Sequence, residues 1–525
     1  MPTRHASLLT TLALLTAATA TFAQAPATQP APLQPDAGPS LTVYSSADPA
    51  GFDPQQFIHQ QRLGYNNIDP SQIPGFGVVK ETRDLALHPG ENNVAVTDVA
   101  EYIDPTTVSF SDLTDPQTSV LQQQFKFDLV SPAKLLEKYV DQPITILAAL
   151  GNNNVETVTG TLLSTNQGQL VVQTTNGLRM FVASQVQVQL GKLPEGLITR
   201  PTLDWQINAA QAGQHRVRTT YQTSGLTWRA DYTLVLNADD TAADLGAWVT
   251  LLNLSGASYN NAQLKLIAGD VQRVRPQPYG ARGGFAFDAV ASGPAAGFQE
   301  KSFYEYHLYT LPRRTDIKDN STQQIALFPT VHNVSVEKVL VYYGLPANFS
   351  QYLFVPNPVL DRDIENQSNH KVDAYIRFKN AENNHLGIPL PRGKVRVYKQ
   401  DTSATGGDGS LEFVGEDLID HTPKDRTLLI KTGQSFDITG DRTQTDFTVD
   451  NSRREMTESI KIVLHNPTKQ AVNVIVKENL FRWVNWEITN SSDPYEKIDS
   501  RTIHFNEQVP ADGDTTVTYT VKYTW

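Results

Sequence analysis

The densest run of side chains with catalytic chemistry is Gly415-Glu416-Asp417-Leu418-Ile419-Asp420-His421. Carboxylates beside an imidazole carry the groups that acid–base work or cation binding needs. Thr422-Pro423 follows at once, which sets His421 at the end of a strand rather than on a rigid ligand face. The plainer reading of Glu416, Asp417 and His421 is a strand edge with solvated charges, and that reading is preferred. Glu305 and His307 share one strand face with Tyr309, an arrangement that suits a site or an ordinary wet sheet surface. The segment Asp401 to Ser410 holds Gly406-Gly407-Asp408-Gly409 but lacks the acidic spacing and terminal Glu of a calcium loop, so it reads as a hairpin end. Trp483 and Trp486 flank Val484-Asn485; exposed, they would stack on sugar rings, and buried, they would fill a core, which is the commoner use.

The rest of the sequence supplies no stronger signature. It has no metalloprotease His-Glu-x-x-His, no Gly-x-Ser-x-Gly elbow and no Walker loop. With no cysteine, thiol catalysis, haem attachment, Cys-ligated zinc and disulfides are excluded, so stability must come from packed cores. A formal net charge of -12 leaves no basic footprint for nucleic acid over the whole chain. No cofactor, cofactor-binding residue or metal ligand is assigned, and Glu416, Asp417 and His421 remain the candidate catalytic residues.

The elements that must position these groups are strands. Arg4 and His5 precede an apolar run from Leu8 to Ala20 and then Thr21-Phe22-Ala23, the layout of a signal peptide over residues 1–23. No later run is long enough to span a bilayer as a helix. Residues 24–40 read as a disordered Pro/Ala linker. Residues 41–141 read as an N-terminal β domain with turns at His88-Pro89-Gly90 and Asp104-Pro105. A helix capped by Ser131 and opened by Pro132 ends it. Residues 142–200 carry five short strands joined by Asn- and Gly-rich turns, the pattern of a small, partly closed barrel of Sm- or SH3-like type.

Residues 201–525 read as a β-sandwich region. Its clearest part is a meander from Tyr221 to Asp270, in which Leu226, Trp228, Ala230, Tyr232, Leu234 and Leu236 form an apolar row opposite a polar one (Thr227, Arg229, Asp231, Thr233). Leu245–Leu254 is apolar on both parities, as in a strand covered on both faces. A Gly/Ala-rich stretch at 276–297 reads as a surface loop. Three strands run into an Asn (Val249–Asn253, Tyr375–Asn380, Ile460–Asn466), each followed by a polar turn and a returning strand, which suggests sandwich layers reusing one corner. The closing row Val517, Tyr519, Val521, Tyr523, Trp525 resembles the last strand of an outer-membrane barrel but also fits a sandwich's final strand.

Several segments together resemble a known family. They are Trp228-Arg-Ala-Asp-Tyr232, Asn253-Leu-Ser-Gly256, Leu264-Lys-Leu-Ile-Ala-Gly-Asp270, Leu390-Pro-Arg-Gly393, Gly415-Glu-Asp417 and Thr518 to Trp525. From about residue 201 to 525 the chain resembles a bacterial domain of unknown function also found in mucoidy inhibitor A proteins. Arg83 to Phe110 resembles the companion domain that usually precedes it, which makes the small barrel an insertion. The resemblance brings no established activity. Export and resemblance together imply a periplasmic or surface protein of the cell envelope, non-enzymatic, with a structural role or a protein or glycan partner. The alternatives are an exported polysaccharide hydrolase working through carboxylates and an outer-membrane-associated protein.

Overall fold

The computed structural model describes residues 38–44, 58–59, 63, 70, 73–151, 154–269, 271, 299–303, 306–345, 357–363, 368–401 and 409–525. The expected signal peptide, all but the last three residues of the 24–40 linker, the 276–297 loop, Glu305 and the Gly406–Asp408 tip lie outside them. The chain is mainly β, and its strands form several sheets with a sandwich-like arrangement. No helix among the described residues is long and apolar enough to cross a membrane.

The meander organises the middle of the molecule. Strand β13 (Leu226–Leu236) pairs antiparallel with β14 (Ala242–Asn253), with Trp228 opposite Leu251. Their turn is held by Asn237, whose Oδ1 accepts the Thr241 N–H at 2.9 Å. On its other side β13 runs parallel to β22 (Gly393–Gln400). The full sheet is ordered β19–β14–β13–β22–β23, with β19 at Ser321–Ser335 and β23 at Leu411–Ile419. Three expectations need correction here. The polar row of β13 is not wet: Thr227, Arg229 and Asp231 are all buried. Asp231 Oδ2 accepts from Arg229 Nε at 3.2 Å and Thr250 Oγ1 at 2.6 Å, so the row satisfies itself sideways. The double coverage of β14 begins only at Val249, since Trp248 is 45% exposed. Asp104-Pro105 is no turn; it lies inside β4 (Ile103–Asp112).

The first strand, β1 (Ser40–Tyr44), lies antiparallel to β2 (Phe76–Leu87) and parallel to β15 (Tyr259–Ala268). The expected linker therefore ends inside a strand, and Leu41 and Val43 of that strand are fully buried. β12 (Gly213–Thr223) completes the same sheet between β2 and β4. β11 (Thr202–Ala209) lies between β3 (Gly90–Thr97) and β5 (Ser119–Lys126). Strands on both sides of residue 201 thus share two sheets and one core that includes Val79, Leu203, Trp228 and Leu264. The division between 41–141 and 201–525 is crossed by these ladders.

Between β5 and β11 the chain leaves this body and builds a small sheet of its own. Ser131 Oγ accepts the Lys134 N–H at 3.3 Å and caps helix α1 (Pro132–Lys138). Strands β6 (Pro143–Gly151), β7 (Asn154–Asn166), β8 (Gln169–Thr174), β9 (Gly177–Val182) and β10 (Val186–Gln189) follow in the order β10–β6–β7–β8–β9. Tyr139, Ile146, Leu162, Leu170 and Val172 fill a separate core. The edge strands β9 and β10 form no ladder with each other, so closure into the expected Sm- or SH3-like barrel is not part of its hydrogen bonding.

The last sheet is built from β20 (Glu337–Tyr343), β21 (Lys371–Lys379), β24 (Thr427–Asp450), β25 (Glu455–Asn466), β26 (Val472–Asn479), β27 (Trp486–Ser491), β28 (Tyr495–Lys497), β29 (Thr502–Val509) and β30 (Gly513–Thr524), ordered β27–β30–β25–β24–β21–β20–β26–β29–β28. Its β24 (Thr427–Asp450) is 24 residues long and serves two cores: Leu428 and Ile430 join the central one, Ile438 the C-terminal one. The three Asn corners are real and nearly fully buried. Asn253 Oδ1 accepts from Ser255 N and Oγ, while its Nδ2 donates to Ala257 O. Asn466 repeats this with Thr468 and Gln470, and Asn380 reaches Ile388 O and Gly387 N. The final strand β30 (Gly513–Thr524) pairs with β25 (Glu455–Asn466) and β27 (Trp486–Ser491), and its Val517, Tyr519, Val521 and Tyr523 are buried in the C-terminal core.

Candidate functional site

The structure does not bring the candidate catalytic residues together. Glu416 and Asp417 are neighbours on β23, and strand geometry turns them to opposite faces. Glu416 is exposed and ion-paired, 3.1 Å from Lys394 Nζ and 3.5 Å from Arg396 Nε. Asp417 Oδ2 accepts the Lys431 N–H at 2.7 Å and its Oδ1 the Leu418 N–H at 2.8 Å, tying β23 to β24. His421 Nδ1 accepts the Arg392 N–H at 3.1 Å, and Asp420 lies 3.2 Å from Arg392 Nε. Each group thus holds a local partner. Trp483 and Trp486 pack half-buried against the C-terminal core. Trp486 Nε1 donates to Ser500 O at 2.8 Å and its ring lies under Lys497 Nζ, so that face is covered. Tyr309 is buried and donates to Pro389 O, leaving His307 half-buried beside it rather than on a wet face.

Two other constellations carry the chemistry. The first is a buried ion network inside the C-terminal sandwich. Arg442 Nε donates to Glu478 Oε2 at 2.9 Å, and Tyr519 Oη donates to the same oxygen at 2.5 Å. Arg482 Nε lies 3.1 Å from Glu458 Oε1, which also accepts from Gln444 Nε2 at 2.7 Å. The four charged side chains are between 0% and 5% exposed. Burial first, and then the Glu478 charge, hold the Tyr519 hydroxyl well above its ordinary range. Glu478 Oε1 has no hydrogen-bond partner, yet Gly344 leaves so little room that a Cβ there would stand 2.7 Å from it. Sealed this way, the network aligns strands rather than meeting a ligand.

The second is an open groove of about 1050 Å³ where β20 (Glu337–Tyr343), β24, β26 (Val472–Asn479) and β29 (Thr502–Val509) meet the Asp239-Asp240 turn of the meander. Ion pairs fix its rim: Glu337 with Arg377 at 2.7 Å, Asp240 with Lys399 at 2.6 Å, Lys469 with Asp512 at 2.9 Å. Gln470, Asn473, Asn506 and Gln508 line it with exposed carboxamides. Glu507 borders it too, but its side chain lies on the core face of β29, opposite Asn506 and Gln508; it is 8% exposed and has no hydrogen-bond or ion-pair partner among the described residues. Burial, with the Asp493 charge second, pushes its carboxyl above the usual Glu range. A large cleft with a polar lining has the form of a binding site.

Sequence reading gave a site role to none of these residues, though a signal was present. Glu507 stands in the row Ile503, Phe505, Glu507, Val509; Glu458 in Met456, Glu458, Ile460, Ile462; and Glu478 in Val474, Val476, Glu478, Leu480. A carboxylate on the apolar parity of a strand must be satisfied inside the sheet or face a cavity. Among the described residues no three His, Asp or Glu side chains converge on a metal-binding geometry. A scan against protein-family models matches no family, and a comparison with curated proteins finds no relative.

Proposed function

We propose that this chain is an exported, non-enzymatic protein of the bacterial cell envelope that serves as a scaffold binding an envelope glycan or protein. Its fold would be shared with the mucoidy inhibitor A proteins, and the small inserted sheet would be an architectural barrel. The observation that carries the reading is the open groove over β20, β24, β26 and β29, whose lining is rich in polar side chains. The signal-peptide layout of residues 1–23 and the family resemblance support the envelope. Against catalysis by Glu416, Asp417 and His421 stands their geometry, since each is tied to its own partner. The test is cell fractionation followed by pull-down from envelope fractions, with and without glycan digestion. Recovery in the envelope with captured envelope material supports the reading; a cytoplasmic protein that captures none overturns it.

A further inference from the structure

The outer face of the first sheet carries a charge pattern that the groove does not explain. Leu41, Val79, Leu264, Tyr309 and Tyr221 turn one face of β1, β2, β15, β17 (Tyr306–Thr310) and β12 into the central core. Alternation therefore sends Lys80, Lys265 and Arg218 to the opposite face. Beyond β17 lies the edge strand β16 (Gln299–Phe303), whose Lys301 stands opposite Leu308 on that same outer face. The ladders fix where the four cations sit. Lys301 shares a row with Leu308, Ile267 and Tyr44, and Lys265 shares the next with Thr310 and Thr42. Lys80 lies in the row of Ser40 and Thr220, and Arg218 in the row of Thr82 and Ser111. Each row is displaced by two residues from the one before, so the cations form a diagonal line across the strands. Strands about 4.8 Å apart rising about 3.4 Å per residue put successive lysine Cα atoms about 12 Å apart, and the whole line runs about 30 Å.

None of the four has a carboxylate partner among the described residues. Lys80, Lys301 and Arg218 are exposed, and Lys265 is half-buried between them. Burial first, and then the positive charges of Lys80 and Lys301, hold the Lys265 ammonium below the ordinary Lys range. The carboxylates of β2 and β4 on this face are engaged elsewhere: Asp84 lies 3.1 Å from Arg216 Nε, and Asp104 accepts the Thr106 hydroxyl at 2.6 Å. In a chain of net charge -12, a line of unpaired cations is a local exception that an external anion would offset. The side chains between the cations narrow the choice of anion. Ser40, Thr42, Thr220 and Thr310 offer hydroxyls and Gln263, opposite Ser40, an amide, groups that both give and take hydrogen bonds. Sugar hydroxyls match them, whereas the carboxylates of an acidic peptide only accept. No exposed large apolar side chain among the described residues stands in these rows to enter a lipid surface.

We propose that the line Lys301–Lys265–Lys80–Arg218 binds an acidic glycan, with carboxylate or sulfate groups on the cations and sugar hydroxyls on the Ser, Thr and Gln side chains between them. This site goes beyond the groove and does not depend on it. The ligand crosses the strands instead of extending the sheet at an edge, so its charges, not its backbone, set the fit.

The experiment is calorimetric titration of the full chain with hexagalacturonate, sulfated maltohexaose and plain maltohexaose. The variants are Lys80→Gln/Lys301→Gln and Lys265→Gln, with Lys469→Gln at the groove rim as the control. At least one acidic hexamer is expected to bind, with affinity that falls as salt is raised, and plain maltohexaose to bind at least about tenfold more weakly. Each variant on the line should weaken binding about tenfold or more, and Lys469→Gln should not. Lys80 and Lys301 are exposed and loss of Lys265 relieves repulsion, so neither variant should melt below the parent, and lost binding is then not lost folding. Failure of both acidic hexamers to bind, equal binding of plain maltohexaose, or full affinity in both variants overturns the proposal. So does an equal loss in Lys469→Gln, or a preference for polyglutamate or anionic phospholipid vesicles over the acidic hexamers. Acidic hexamer binding by a chain that fractionates with the cytoplasm would sink the envelope role and leave this site standing.

Discussion

Changing Glu478 to Gln should be among the most damaging isosteric substitutions in this chain. Glu478 is fully buried and is the acceptor for both Arg442 Nε at 2.9 Å and Tyr519 Oη at 2.5 Å. The amide keeps the shape but removes the negative charge, leaving the Arg442 guanidinium in the sandwich interior with only the Glu458–Arg482 pair near it. At an effective dielectric of about 20, two charges 2.9 Å apart interact by about 6 kcal/mol, a ceiling on what is lost. Breaking one partner of a buried pair costs about 3–5 kcal/mol, consistent with that ceiling. Urea unfolding followed by tryptophan fluorescence measures it, since Trp483 and Trp486 pack on the same core. The double variant Arg442→Met/Glu478→Leu removes both charges and should recover most of the loss, with a coupling energy above about 2 kcal/mol. If Glu478→Gln unfolds within about 0.5 kcal/mol of the parent, the network is hydrated and the argument from burial fails.

Trp228 is buried, stacks edge-on against Tyr309 and donates to Val43 O at 3.2 Å, so Trp228→Ala should cost about 3–5 kcal/mol, read as a lowered urea midpoint. Asn466→Ala strips Thr468 and the carbonyls of Gln470 and Pro510 of their partner and should cost about 3 kcal/mol or more. An exposed amide such as Asn506 should change stability by less than about 0.5 kcal/mol, and equal effects at the two sites would remove the corner's special status. His465 lies 2.8 Å from Asp514 and 3.1 Å from Asp441, and the Asp514 hydrogen bond first, then Asp441, raises its pKa. A raised folded-state pKa gives stability that is complete below the unfolded value near 6.5 and lost as pH climbs through the folded one. Melting temperature should therefore drop across that window in the parent and lose this drop in Asp514→Asn; identical profiles would disprove the linkage. Leu41→Ala should lower stability by about 2–5 kcal/mol, because β1 is held in the sheet by fully buried Leu41 and Val43. A change near zero on thermal melting would show that β1 is dispensable.

What the sequence revealed was periodicity. The parity of Trp228 and of Tyr519 and Tyr523 is a local property, and the structure places those residues inside as alternation demands, while the five small strands were legible from short runs set between Asn- and Gly-rich turns. The Asn corners were legible for a related reason: a side chain that bonds its own turn needs no distant partner. Long-range satisfaction was not legible. Arg229 and Asp231 look solvated until Thr250, nineteen positions away, and Arg396, from another strand, are seen to absorb them. Asp104-Pro105 has turn chemistry, but pairing with β12 keeps the strand going through it. The groove needed three-dimensional information outright, since Asp239, Lys338, Asp437, Asn473 and Glu507 come from five separate segments. The misplaced carboxylates were in plain view, yet alternation was read for its apolar members and not for its exceptions.

Strand β1 sets a clock. Its Ser40 lies beside Gln263, so the earliest strand described has its parallel neighbour some 220 residues further along. A ribosome adds about 5–20 residues per second, so β2 and β1 wait on the order of ten seconds or more before β15 has even been made. During that interval the side of β1 that β15 will cover is an open edge, available to any other strand nearby. Closure of the first sheet is therefore a late event, and contacts this distant in sequence form slowly. The nascent chain therefore carries the backbone edge of β1 unpaired through that interval, until β15 arrives to cover it.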